Sequence, residues 1–255
     1  MNKISTILIV KNGENLIADC LDSVSFSDEI IVIDNGSIDR TAEIAKKMGA
    51  RVYEVTSKDF SELRKQGLKN ALGDIIFYID VDERVDNNLS KEFSHLKKMD
   101  INLIQDNYLV NRKNFYLGNH EWPKIEKMLR VFRKGKLKGW EGKLHESPIV
   151  VGEAGTLNGF LLHFTHKDLY SMLEKTIEWS KTEAELRFNS GHPKMVWWRF
   201  PRVMISAFLD SLVKQRGYKI GTVGIIESMY QAFSAFVTYA RLWELQQKNN
   251  SKLKT

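Results

Sequence analysis

Two carboxylates one residue apart, Asp80 and Asp82, follow the apolar run Ile75-Ile76-Phe77-Tyr78-Ile79. Carboxylates that leave a buried strand together can converge on a hard divalent cation such as Mg2+ or Mn2+. An ion held by so few protein groups takes its other ligands from water and substrate phosphates. Acidic pairs also occur in plain solvated loops. Here a second acidic strand end, Asp34, faces the pair, and a third strand end supplies Lys11, Asn12 and Glu14. No GxGxxG and no GxxxxGK[ST] follows a strand, so neither a dinucleotide fingerprint nor a Walker loop is indicated. The single cysteine, Cys20, excludes a disulfide framework and a Cys-rich zinc site. It falls on the apolar side of the first helix, which reads as a buried structural thiol.

These groups need elements to position them. Ile4 to Val10, Glu29 to Asp34, Arg51 to Val55 and Asp74 to Ile79 read as strands. Helical patterns at about 15–23, 41–48 and 61–72 separate them. Alternation of this kind requires parallel pairing with right-handed crossovers. Ligands of such sheets bind beyond the C-terminal strand ends, where all the groups named above lie. Past residue 100, Tyr108 to Arg112, Lys127 to Phe132 and Phe160 to Phe164 read as antiparallel additions to the sheet edge. Helices follow at Leu169 to Phe188, Met195 to about Gln215 and Thr222 to Gln247, broken at Gly191-His192-Pro193 and Arg216-Gly217-Tyr218. The fold class is α/β: a doubly wound, mostly parallel sheet with antiparallel edge additions and a C-terminal helical extension. Residues 1–100 read as the α/β half, 101–167 as the antiparallel part of the same domain, and 168–255 as the extension.

The chain resembles family 2 glycosyltransferases of the GT-A fold, especially the lipopolysaccharide-core glucosyltransferase-like branch. The resemblance rests on ISTILIVKNGENLIADCLDSV, DEIIVIDNGSIDRTAEIAKKMGARVYE, FSELRKQGLKNALGDIIFYIDVDERV, and RKNFYLGN followed by LRVFRKG and GKLHESP. Together these segments span most of residues 4–150 in the order that branch shows. The resemblance implies a nucleotide-diphosphate sugar donor, with UDP favoured, and attack that inverts the anomeric centre. It implies that Asp34 holds the donor's base, that Lys11 and Asn12 line the nucleoside pocket, and that Arg64 approaches the donor phosphates or base. Asp80 and Asp82 match its metal motif, the first carboxylate meeting the ribose and the second the metal. Lys65 departs from the pattern, standing where many relatives carry Asn.

The reaction also needs a base for the acceptor hydroxyl. The branch carries a His-Glu dipeptide after its basic, aromatic segment, which implies Glu146 in Leu144-His145-Glu146. Glu83, beside the metal motif, is the rival. His145 is placed to steady a phosphate or the metal, and His163 and His166 are weaker candidates for the same work. A histidine on a strand is more often a satisfied core residue.

Lys194 to Val213 sets Trp197, Trp198 and Phe200 among Arg199 and Arg202. Aromatic and basic neighbours suit a membrane interface, whereas a buried helix packed on the catalytic domain explains the same residues without lipid. The last helix carries Ile225, Ile226, Met229, Phe233, Phe236, Val237, Ala240 and Trp243 at helical spacing, as expected for helix packing or homo-oligomerisation. No signal-peptide pattern opens the chain and no uninterrupted apolar stretch reaches span length, so the expected place is the cytoplasm, at the inner face of the cytoplasmic membrane. The acceptor is expected to be a glycan or lipid-linked hydroxyl, and nucleic acid is not an expected partner. The formal charge of +6 does not choose among anionic partners. Two other readings stand beside the transferase. One is a sugar-nucleotide nucleotidyltransferase, for which Lys11-Asn12-Gly13-Glu14 makes a poor phosphate loop. The other is a non-catalytic carbohydrate or polyanion binder using a basic patch from Arg130 to Lys143.

Overall fold

Every residue of Ile4–Val10 (β1) is buried, Ser5 and Thr6 included, as a strand covered on both faces requires. The computed structural model describes residues 1–142 and 146–252, with side chains through Lys248. After β1 come α1 (Ile17–Ser23), β2 (Glu29–Asp34), α2 (Thr41–Lys47), β3 (Arg51–Glu54), α3 (Phe60–Asn70), β4 (Ile75–Asp80), β5 (Glu83–Val85) and α4 (Asn87–Lys98). The next elements are β6 (Asn107–Tyr116), β7 (His120–Glu121), β8 (Glu126–Arg133), β9 (Leu137–Glu141), β10 (Ser147–Val150) and β11 (Ala154–Phe164). Three helices close the chain: α5 (Leu169–Asn189), α6 (Arg199–Leu209) and α7 (Gly221–Lys252).

The main sheet runs β3-β2-β1-β4-β8-β6-β11-β5. Its first four strands are parallel, and β8 is antiparallel to β4 and to β6. β5 closes the far edge against β11, and β9 pairs with β10 as a separate ribbon. This is the mixed α/β class expected from the sequence.

The sheet's period of two builds two cores. Leu8, Val10, Val32, Phe77 and Ile79 share one cluster with α1, α2 and α4 through Ile17, Cys20, Ala45, Leu89, Phe93 and Leu96. Ile7, Ile9, Ile31, Ile33, Ile76 and Tyr78 share the other with Leu63 of α3, Phe132 and Trp140. Cys20 lies in the first, and burial pushes its thiol far above the ordinary range. Its sulfur donates to the Asp80 carbonyl at 3.6 Å.

A Cβ at Gly67 would stand 2.4 Å from Ile7 Cγ2 and 3.6 Å from Ile33 Cγ1. The glycine therefore lets α3 lie directly on β1 and β2. Gly67→Ala is expected to cost about 1–3 kcal/mol by overpacking, read as a lower urea midpoint at unchanged m value.

The described chain divides into two compact units, Met1–Lys113 with Ile125–His163, and Asn114–Lys124 with Phe164–Thr255. Within the second, Asp168 and Ser171 form a capping box at the start of α5. Tyr230 of α7 donates to the Met172 carbonyl at 2.7 Å, and its hydroxyl lies 2.8 Å from that of Thr176. His166 Nδ1 sits 3.0 Å from both carboxylate oxygens of Glu227.

One sequence expectation is corrected. The helix expected from Met195 begins at Arg199 and ends in a π-helical turn, Asp210–Lys214. Pro201 explains the late start, because proline is tolerated only in a helix's first turn. Gly217–Lys248 contains an 18-residue window of mean hydropathy 1.2, long and apolar enough by length and composition alone to cross a membrane, although Glu227 and Arg241 break its apolar run.

Candidate active site

Parallel register gathers the polar strand ends. Val10 pairs with Asp34, Asp34 with Glu54, and Ile9 with Asp80, so β1, β2 and β4 deliver their C-terminal residues to one edge. The turns after β1 and β2 are bound to each other. The Asn12 N–H donates to Ser37 Oγ at 2.8 Å, and Asn12 Oδ1 accepts from the Ile38 N–H at 2.9 Å. Asn12 holds φ at 52°, a left-handed position that asparagine tolerates. Glu14 accepts from the Arg40 N–H, and Gly13 donates to Thr41 Oγ1. Asp34 is 3 % exposed, and its Oδ1 accepts from the Ser37 N–H at 2.9 Å. Lys11 is exposed beside them. Four sequence-identified residues thus share one polar wall.

Beneath Asp80 lies a run of alternating charge. Glu126 Oε2 meets Arg112 at 2.5 Å, and Arg112 meets Glu83 Oε1 at 3.1 Å. Glu83 Oε1 meets Arg130 at 3.2 Å, and Arg130 meets Asp80 Oδ2 at 2.6 Å. Asp80 Oδ1 meets Arg64 at 3.5 Å, and Arg64 meets Glu146 Oε1 at 2.6 Å. The order Glu126, Arg112, Glu83, Arg130, Asp80, Arg64, Glu146 alternates in sign throughout. Burial pushes the Asp80 carboxyl up, but Arg130 and Arg64 outweigh it and hold it well below the usual carboxylate range. Arg64 is further fixed by aromatic faces, its guanidinium 4.7 Å from the Trp140 ring and 5.3 Å from Tyr78. Tyr78 returns a hydrogen bond to the Arg64 carbonyl at 2.9 Å.

Glu83 is not poised as a base. Its side chain is wholly buried, it pairs with Arg112 and Arg130, and its Oε2 accepts from the Asp80 N–H at 3.0 Å. A side chain so buried has no access to an acceptor hydroxyl. Glu146, 11 % exposed, stands at the open end of the run. His145 lies outside the described residues. Lys65 is exposed on α3, its Cε near Gly139 of β9.

Among the described residues no cluster of three or more His, Cys, Asp or Glu side chains is arranged to hold a metal ion. The nearest donor set is a pair: His163 Nε2 lies 3.3 Å from Asp82 Oδ2. Adjacent ligands of an octahedral ion with bonds near 2.1 Å lie about 3 Å apart, so this pair fits a divalent ion completed by phosphate and water. Both Asp80 oxygens meet arginines, whereas Asp82 lies beside His163. His166 belongs to the Glu227 pair of the second unit.

The sequence reading missed Arg130, Arg112, Glu126, Tyr78 and Trp140. One signal was available, since an arginine inside Met128-Leu129-Arg130-Val131-Phe132 must find a buried carboxylate. The same observation corrects the basic patch expected from Arg130 to Lys143. Arg130, Val131, Phe132 and Trp140 are buried, so that segment is not a continuous cationic surface. In the second unit, Trp197 is 82 % exposed, Trp198 and Arg202 are exposed, and the Arg199 guanidinium lies 5.3 Å from the Trp198 ring. Phe200 instead packs on Phe236, with ring centroids 6.0 Å apart.

Comparison with known proteins bears on the family and the fold. Residues 5–153 match the family model for glycosyl transferase family 2. An uncharacterized glycosyltransferase of Rickettsia typhi is 28% identical, covering 98% of this chain and 90% of that protein. The lipopolysaccharide core biosynthesis glycosyltransferase LpsC of Rhizobium meliloti is 25% identical, covering 94% of this chain and 92% of that one. Among solved structures, S. aureus TarS 1-349 in complex with UDP aligns at a TM-score of 0.48 and 14% identity, covering 97% of this chain and 92% of that chain. A likeness that distant has no bearing on ligands.

Proposed function

The chain belongs to glycosyl transferase family 2, and from that premise we propose that it transfers a sugar, with inversion, from a UDP-type donor to a hydroxyl of a glycan or lipid-linked acceptor. The observation that carries this reading is the charge run, which ends in Arg64 and Glu146 at the sheet edge that also presents Asp34, Asp80 and Asp82. Asp34, Lys11, Asn12 and Glu14 form the base and nucleoside wall. Asp80, oriented by Arg130, faces the ribose. Asp82 and His163 would hold a Mg2+ or Mn2+ ion, which when bound offsets the charge of the leaving diphosphate.

Arg64 is shared between Asp80 and Glu146. A donor diphosphate is a stronger partner for a guanidinium than one carboxylate oxygen. Donor binding therefore draws Arg64 toward phosphate and frees Glu146 to accept the acceptor's proton. The acceptor oxygen then attacks opposite the diphosphate, and the proton remains on Glu146 until product leaves. Trp197, Trp198, Arg199, Phe200 and Arg202 supply a peripheral contact at the inner face of the cytoplasmic membrane. The LpsC relative supports a cell-envelope acceptor such as lipopolysaccharide.

A panel of nucleotide sugars tests the reading, with envelope lipid extract as acceptor and nucleotide release as readout. The expected result is UDP release that needs both divalent metal and extract. Pyrophosphate release from a nucleoside triphosphate and a sugar phosphate would replace this function with nucleotidyl transfer.

A further inference from the structure

The longest helix of the second unit, α7, holds an apolar window of which only 22% is buried. An apolar helix of a soluble unit ordinarily packs inside it. Ile226, Met229, Phe233, Phe236, Ala240 and Trp243 follow one another at alternating steps of three and four, which puts them on one helix face. The five larger residues of that stripe are each between 40% and 63% exposed. Ile205, Leu209 and Val213, four residues apart along α6 and its π turn, are also exposed. The Phe200–Phe236 contact joins α6 to α7.

We infer that the apolar faces of α6 and α7 form a docking surface for an anionic lipid bilayer. Two observations select lipid over a second copy of the chain. Helices that pair in water place charges beside the apolar seam to fix partner and register. Here the flanking positions Ile225, Tyr230, Ala232, Val237 and Tyr239 carry no charge, and Glu244 alone puts a charge beside the stripe. Cations instead gather at both ends of α6, as Lys194, Arg199 and Arg202 before and within its first turn and as Lys214, Arg216 and Lys219 after it. Asp210 is the only carboxylate between Lys194 and Ile220. Apolar residues between cationic ends, with Trp197, Trp198, Tyr218 and Trp243 exposed, match a helix pair lying in the headgroup layer. α7 lies on the bilayer in this arrangement and does not cross it. Its Glu227 is buried and paired to His166, and the helix packs on both α5 and α6.

This inference extends the membrane contact proposed above to a larger surface. Its test involves no sugar transfer, so its failure leaves the transferase reading untouched. Flotation of the full chain with phosphatidylcholine vesicles, with and without about one third phosphatidylglycerol, is the measurement. The chain is expected to float with the anionic vesicles. The exposed-site variants Met229→Glu with Phe233→Glu, and separately Ile205→Glu with Leu209→Glu, are each expected to lower the bound fraction at least tenfold at unchanged melting temperature. If one pair unfolds the protein, the other still decides. The inference is overturned if wild type stays with the soluble fraction, if a folded variant binds as wild type does, or if sedimentation shows a dimer that Met229→Glu dissolves.

Discussion

Glu146→Gln is expected to lower kcat by about 10²–10⁴-fold, the range a positioned general base contributes, while UDP affinity stays within a factor of about two. Glutamine keeps the shape and still accepts from Arg64, which contacts Glu146 Oε1 at 2.6 Å, but it cannot take a proton. Loss confined to kcat is the signature of a group that acts in the transition state alone. Steady-state kinetics beside calorimetric UDP titration separate the two effects. An unchanged kcat would move the base elsewhere. A weakened UDP affinity with normal kcat would make Glu146 a scaffold for Arg64.

Arg130→Met is expected to destabilise the first unit by about 3–5 kcal/mol, the cost of breaking a buried ion pair by removing one partner. The Arg130 side chain is 4% exposed and lies between Asp80 Oδ2 at 2.6 Å and the wholly buried Glu83 at 3.2 Å. Methionine replaces the stem and leaves two carboxylates without their shared cation. A loss of that size lowers the melting temperature by about 6–20 °C for a unit of this length. The sign of the pH dependence follows from Asp80. Its folded carboxyl titrates below the unfolded value because Arg130 and Arg64 outweigh its burial. Wild type therefore holds this stability above the ordinary aspartate value of about 3.9 and loses it as the pH falls further. The gap between wild type and variant narrows in the same direction. Urea melts at neutral pH and at about pH 2.5, well below the ordinary aspartate value, measure both.

Sequence periodicity located β1, β2, β4 and the helices between them because those strands are buried on both faces and read as unbroken apolar runs. α4 was missed, although Leu89, Phe93 and Leu96 share one face behind the Asp86 cap. Asp34, Asp80 and Asp82 were legible as strand-end carboxylates because parallel topology alone assigns them to one edge. Arg130 and Glu83 were not. Their significance depends on β8 lying antiparallel beside β4, a long-range pairing that no local pattern encodes. Glu146 came from resemblance, and its contact with Arg64 joins positions 82 residues apart.

The central claim is a nucleotide-diphosphate site at the ends of β1, β2 and β4. Calorimetric titration of UDP, with Mn2+ and then with EDTA, beside an Asp82→Asn variant, tests it most directly. Saturable binding that needs the metal and is lost or at least tenfold weaker in the variant is the expected result. No heat of binding under any condition, or binding indifferent to both metal and Asp82, would contradict the site as assigned.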